Sequence, residues 1–125
     1  MARILIVDDS PSQLMSIRRV VEKLGHDALT AEDGASGVEA AKREIPDLVL
    51  MDVVMPNLNG FQATRSITRE PTTRHIPVIL VTTKDQDTDR VWGMRQGAKA
   101  YITKPFSEAE LSALIEQYLG GPSAA

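Results

Sequence analysis

The chain has 125 residues, a length that suggests one domain with one core, and no cysteine, which removes disulfides, thiolate metal sites and thiol nucleophiles and fits a reducing compartment. Its 14 Lys and Arg against 17 Asp and Glu give a net charge of −3, without the cationic surplus by which a general nucleic-acid binder displaces counterions. The opening MARILIVDDS is too short an apolar run for a secretory signal, and no stretch approaches the ~18 apolar residues of a membrane span, so a cytoplasmic protein is expected, binding neither membrane nor nucleic acid.

Short runs rich in Ile, Val and Leu alternate with segments of helical period. The first run is RILIV (3–7). Ser10, Pro11 and Gln13 then open a helix with a Ser-x-x-Gln capping box. Its apolar face is Leu14, Ile17, Val21 and Leu24, and Gly25 ends it. DALTA (27–31) is the second strand. Asp33 caps the next helix, whose stripe reads Ala35, Val38, Ala41 and Ile45 before Pro46 blocks continuation. DLVLM (47–51) is the third strand. A constrained turn over 55–60 follows, and Asn59 and Gln62 box a helix that turns Phe61, Thr64 and Ile67 inward. PVILV (77–81) is the fourth strand. The helix after it starts near Asp85 or Asp87, shows Val91, Met94 and Ala98, and ends at Gly97. AYIT (100–103) is a weaker fifth strand. Ser107 and Glu110 box the last helix, with Leu111, Leu114, Ile115 and Tyr118 on its face. Residues 1–120 make one domain, and the tail 121–125 is expected to be disordered.

Three of the apolar runs lack polar alternation, as strands covered on both faces do, and the segments between runs are long enough for crossover helices. Five βα units imply a doubly wound α/β three-layer sandwich with a parallel sheet. Ligands of such sheets bind beyond the carboxyl ends of the strands. There the sequence sets Asp8 and Asp9 after the first strand, Asp52 after the third, Thr82 and Thr83 after the fourth, and Lys104 before Pro105 after the fifth. If the first and third strands are neighbours, three carboxylates share one crevice, a conflict that a bound cation resolves. An all-oxygen donor set favours a hard ion, Mg²⁺ before Ca²⁺. Each residue has an ordinary reading: a helix-start acid, a strand-end threonine, a solvated lysine. Asp52 does not fit one, because the next helix begins too far away for it to cap.

The segments VDDS (7–10), LMDVVMPNLNG (50–60), VILVTT (78–83) and YITKPF (101–106) resemble the receiver domains of two-component response regulators, in order and over nearly the whole chain. LMDVVMPNLNGFQATR and VTTKDQDTDRVWGMRQGAKAYITKPF are similar, more narrowly, to the single-domain regulators of type IV pilus twitching motility, a chemotaxis-like group. The resemblance implies a flavodoxin-like receiver fold with strand order 2-1-3-4-5 and a cis Lys104–Pro105 bond. It implies that Asp52 accepts a phosphoryl group from a sensor histidine kinase. Mg²⁺ would be held by Asp9 directly, by Asp8 mainly through water, by Asp52 and by the backbone carbonyl of Val54. Lys104 would contact the phosphoryl group, and backbone N–H groups near Val54 and Thr83 would donate to it. Thr82 and Tyr101 match the family's switch pair, in which the tyrosine turns inward. Val54 and Lys84 match two variable positions beside the site. The protein would be a signalling switch and no enzyme, a monomer or weak dimer. Its output would be a protein contact through the fourth helix, fifth strand and fifth helix, or withdrawal of phosphate from a shared kinase.

Other readings fit less well. A phosphatase of the haloacid dehalogenase type needs a second Asp where Val54 stands. An FMN carrier needs a loop that cradles phosphate, and DDSPSQ is acidic. A P-loop NTPase needs GxxxxGK, which is missing. A plain interaction module explains the core but not the acids. His26 and His75 read as solvated side chains and not as phosphodonors. Trp92 fits either the core or an exposed contact surface.

Overall fold

The computed structural model describes residues 1–55 and 58–119. Pro56 and Asn57 of the expected turn, Gly120 and the expected tail 121–125 lie outside the described residues. The elements in chain order are β1 (Arg3–Val7), α1 (Pro11–Lys23), β2 (Asp27–Ala31), α2 (Gly34–Glu44), β3 (Leu48–Met51), α3 (Gly60–Arg69), β4 (Val78–Thr82), α4 (Asp87–Arg95), β5 (Ala100–Thr103) and α5 (Glu108–Tyr118). The five strands form one parallel sheet in the order β2-β1-β3-β4-β5. This is the doubly wound sandwich with the order the resemblance implies. No helix among the described residues is long and apolar enough to cross a membrane.

The central strands are apolar on both faces because both faces are covered. Ile4, Ile6, Leu48, Leu50, Ile79 and Val81 pack with Ile17 and Val21 of α1 and Leu111 and Ile115 of α5. The alternate residues Leu5, Val7, Val49, Met51, Val78 and Leu80 pack with Val38 and Ala41 of α2 and Phe61 and Ile67 of α3. Each such side chain contributes roughly 1.5–3 kcal/mol on burial, so the strands that position the site are its most firmly held parts.

Four caps form as the sequence indicates: Ser10, Asp33, Asn59 and Ser107 each accept from the backbone N–H three residues on. The box at Ser10 is only half made. Its own N–H donates to Asp8 Oδ1 at 2.9 Å, so the aspartate takes the place of the Gln13 side chain.

Two helix faces differ from the expected stripes. In α2, Ala35 and Ile45 are exposed, and Gly34, Gly37, Val38, Ala40 and Ala41 face inward. The reason is close approach: a Cβ on Gly37 would stand 2.9 Å from both γ-carbons of Val7, so a glycine holds the position that a hydropathy pattern assigns to a larger residue. Ile45 sits past the helix end in the left-handed region, at φ 44°. In α4, Val91 and Met94 are exposed, and Gly93 and Gln96 face inward instead. A Cβ on Gly93 would run into the Leu80 side chain, which again makes the inner face one without a bulky side chain. Trp92 is on the outside as well, 49% exposed.

His26 also departs from expectation. Its ring is 11% exposed, accepts the Ala2 N–H at Nδ1 (3.0 Å) and faces Glu116 of α5 at Nε2 (3.4 Å). It ties the start of β1 to the last helix, a role with no signature in the local sequence. His75 is exposed, as expected.

Candidate functional site

Three backbone hydrogen bonds build the site. Asp8, Asp52 and Lys104 each stand one residue beyond a strand, and each N–H continues the parallel ladder into the neighbouring strand. Asp8 donates to the Ala31 carbonyl (3.1 Å), Asp52 to that of Val7 (2.9 Å) and Lys104 to that of Thr82 (2.8 Å). The side chains therefore leave the carboxyl edge of the sheet from fixed bases, which is where a doubly wound sheet holds ligands. Gly60 closes the floor: its N–H donates to the Val53 carbonyl (3.0 Å), and a Cβ there would overlap the backbone carbonyl of Asp52.

Asp8, Asp9 and Asp52 each present a carboxylate oxygen, and the three lie within 4.8 Å of one another. Asp8 and Asp52 are buried, and Asp9 is exposed at the rim. Lys104 Nζ stands 2.8 Å from Asp8 Oδ2 and 3.8 Å from Asp52 Oδ1, so its charge is spent mainly on Asp8. Asp52 Oδ1 accepts the Val53 N–H at 2.8 Å. Burial raises the carboxyl of Asp52 above its ordinary pKa and the charge of Asp8 adds to that, while Lys104 and the N–H groups of Val53 and Val54 oppose it. One ammonium among three carboxylates leaves an anionic pocket of oxygen donors. Asp8, Asp9 and Asp52 fit a hard divalent ion on that donor set.

The other residues singled out by the sequence stand around this pocket. Thr82 is fully buried, and its hydroxyl accepts the Lys84 N–H at 3.2 Å. The Lys84 carbonyl accepts the Tyr101 hydroxyl at 2.7 Å, so one residue links the two members of the expected switch pair. Tyr101 is half-buried and its pKa is pushed up to about 12, first by desolvation and then by Asp89, Asp85 and Asp52, against Arg90; its hydroxyl is a donor at any physiological pH. Thr83 is exposed and lines a cleft of about 410 Å³ with Gln13, Ser16, Lys104, Pro105 and Phe106. Val54 is 56% exposed and lines a second cleft with Lys84 and Phe61. The Lys104–Pro105 bond is cis.

A family profile for the response regulator receiver domain matches residues 4–116. The chain belongs to the response regulator receiver family. It is 58% identical to protein PilH of Pseudomonas aeruginosa over 121 residues, covering 97% of this chain and all of that protein. It is 39% identical to the response regulator PleD of Caulobacter vibrioides over 91% of this chain, and spans about a quarter of PleD. Among solved structures, the receiver domain of a sensor histidine kinase of P. aeruginosa PAO1 superposes with a TM-score of 0.88 at 33% identity. That match covers 95% of this chain and 98% of that one, which carries a magnesium ion coordinated in its active-site cleft. This receiver is thus a two-component signalling module, and the family's phosphorylation chemistry gives its acidic pocket a context.

Sequence reasoning did not single out Arg90. Its guanidinium carbon lies 5.1 Å from the centroid of the Tyr101 ring. No local pattern marks that contact, because it joins α4 to β5 across the fold. Gly60 and Gly93 carry no hydropathy signal of their own. Their work is to admit backbone and side chains at close range, which hydropathy does not register.

Proposed function

We propose that residues 1–120 act as one cytoplasmic receiver unit in which Asp52 is the phosphoacceptor. A carboxylate oxygen of Asp52 forms the bond to phosphorus as the phosphorus–nitrogen bond of a kinase phosphohistidine breaks, and the electron pair leaves with the imidazole. What the protein supplies is position. Val53 N–H holds one oxygen of Asp52, the ladder bond to Val7 fixes its base, and the rim remains open toward Asp9 and Val54. Asp8, Asp9, Asp52 and the carbonyl of Val54 would hold Mg²⁺, which supplies charge neutralisation for the transferred group. Lys104 stands close enough to both buried carboxylates to meet a phosphoryl oxygen as a point charge. The N–H groups of Val54 and Thr83 complete the donors.

The observation that carries this reading is the meeting of three carboxylates within 4.8 Å beside a single lysine. A structural cluster gains nothing from that arrangement. Thr82 and Tyr101 then transmit the modification through Lys84 to the α4–β5–α5 face, where exposed Val91, Trp92 and Met94 offer an apolar surface to a downstream protein. The end-to-end match to PilH favours a place in the control of twitching motility or a related chemotaxis-like system. Incubation with acetyl phosphate and Mg²⁺ tests the chemistry: the intact protein gains one phosphoryl group by mass, and Asp52→Asn does not. Equal gain by both proteins, or none by either, overturns the assignment.

A further inference from the structure

The inner face of α4 is unlike those of the other helices. Arg90, Gly93 and Gln96 follow at three-residue steps, and none brings a bulky apolar side chain to the sheet. The space above Gly93 holds the Tyr101 ring, since a Cβ at Gly93 would stand 3.3 Å from Tyr101 Cδ2. The half-buried guanidinium of Arg90 meets that one residue twice. Its Cζ lies 5.1 Å from the ring centroid, and Nη1 donates to the Tyr101 carbonyl at 3.3 Å. Among the described residues, no carboxylate lies within ion-pair distance of Arg90.

We propose that Arg90 is a positioning residue for the switch: its guanidinium holds the Tyr101 ring in the seat above Gly93, and Lys84 and Thr82 couple that seat to the phosphoryl site. The two contacts differ in what they discriminate. The bond to the Tyr101 carbonyl is a backbone contact and survives any orientation of the ring. The cation–π contact exists only while the ring is seated. Only the second favours one ring position over another, and only a differential contact shifts an equilibrium. Contacts of this kind at partly exposed sites shift a two-state ratio by about two- to fivefold. The seat is connected to the site through Lys84, whose carbonyl accepts the Tyr101 hydroxyl and whose N–H donates to the Thr82 hydroxyl. Linkage is reciprocal. If a phosphoryl group favours the seated ring, then a residue that seats the ring raises affinity for a phosphoryl mimic by up to the factor by which it shifts the seating ratio. This inference rests on the functional reading above.

The test uses the full chain with Mg²⁺, beryllofluoride as the mimic, and fluorotyrosine at Tyr101 and Tyr118. Arg90→Gln weakens beryllofluoride binding by up to about fivefold and moves the Tyr101 fluorine resonance while leaving that of Tyr118 in place. Arg90→Lys, which keeps the cation, retains most of the affinity. In a Tyr101→Ala background, Arg90→Gln leaves the affinity unchanged. A merely structural Arg90 would produce the same loss in both backgrounds, and that result overturns the proposal, as does an unmoved Tyr101 resonance. Failure of the wild type to bind beryllofluoride removes the functional reading instead, and the fluorine resonance alone then decides whether Arg90 seats the ring.

Discussion

Replacing Asp52 by asparagine separates the electrostatic cost of the site from its shape. Asparagine keeps an oxygen for the Val53 N–H and removes the charge. At an effective dielectric of about 20, Asp8 within 4.8 Å costs an ionised Asp52 at least about 3 kcal/mol, and Lys104 at 3.8 Å returns about 4 kcal/mol. These two nearly cancel. The repulsion of Asp9, screened by solvent, and the desolvation of a carboxylate that is 7% exposed then weigh against the charge. That desolvation is the largest cause of the raised pKa of Asp52. The expected gain in unfolding free energy for Asp52→Asn, in metal-free buffer at neutral pH, is about 1–2 kcal/mol, or roughly 3–8 °C in Tm. The folded state holds the Asp52 proton to higher pH than the unfolded chain, so protonated Asp52 favours the fold and that advantage is lost as pH rises through the folded pKa. The gap between variant and wild type is therefore widest at neutral pH and narrows on acidification into the ordinary carboxylate range. Mg²⁺ stabilises wild type more than the variant and narrows the gap too. Thermal melts across pH, with chelator and with Mg²⁺, measure all of this. A variant no more stable than wild type in chelator at pH 7, or a gap that grows on acidification, refutes the reasoning.

Lys104→Met leaves Asp8 buried without its ammonium partner and lowers unfolding free energy by about 3–5 kcal/mol in urea titrations, with part of the loss recovered in Mg²⁺. The exposed apolar side chain of Val54 has no group to orient a hydrolytic water, so phosphorylated wild type decays no faster than phosphorylated Val54→Asn when the acyl phosphate is followed by mass; markedly faster decay of wild type counts against that role. Ile45, a β-branched residue at φ 44° and 40% exposed, strains the end of α2, and Ile45→Asn raises stability by about 1 kcal/mol in the same urea titrations.

The frame of the fold was legible because its signals are chemical and local. Unbroken apolar runs announced strands covered on both sides, and Ser10, Asp33, Asn59 and Ser107 each marked a helix start that the structure fills with the expected hydrogen bond. The acids were legible one at a time, as carboxylates at strand ends. That Asp8 and Asp9 meet Asp52 depends on β1 lying beside β3, and adjacency has no local signature; the strand order came from the resemblance. The inner faces of α2 and α4 were misread for one shared reason. Hydropathy marks a glycine as nothing, yet Gly37 against Val7 and Gly93 against Leu80 are the contacts that orient those helices and turn Ala35 of α2 and Val91 and Met94 of α4 outward. His26 and Arg90 were hidden in a similar way, since each acts on an element far away in the chain.

The central claim is that Asp8, Asp9 and Asp52 hold one divalent ion between them, and a Mg²⁺ titration followed through backbone amide resonances tests it most directly. The account predicts saturable shifts that follow a single binding curve at Asp9, Asp52, Val53 and Val54, lost in Asp9→Asn and in Asp52→Asn. Resonances there that stay in place through millimolar Mg²⁺, or that move equally in both variants, would contradict it.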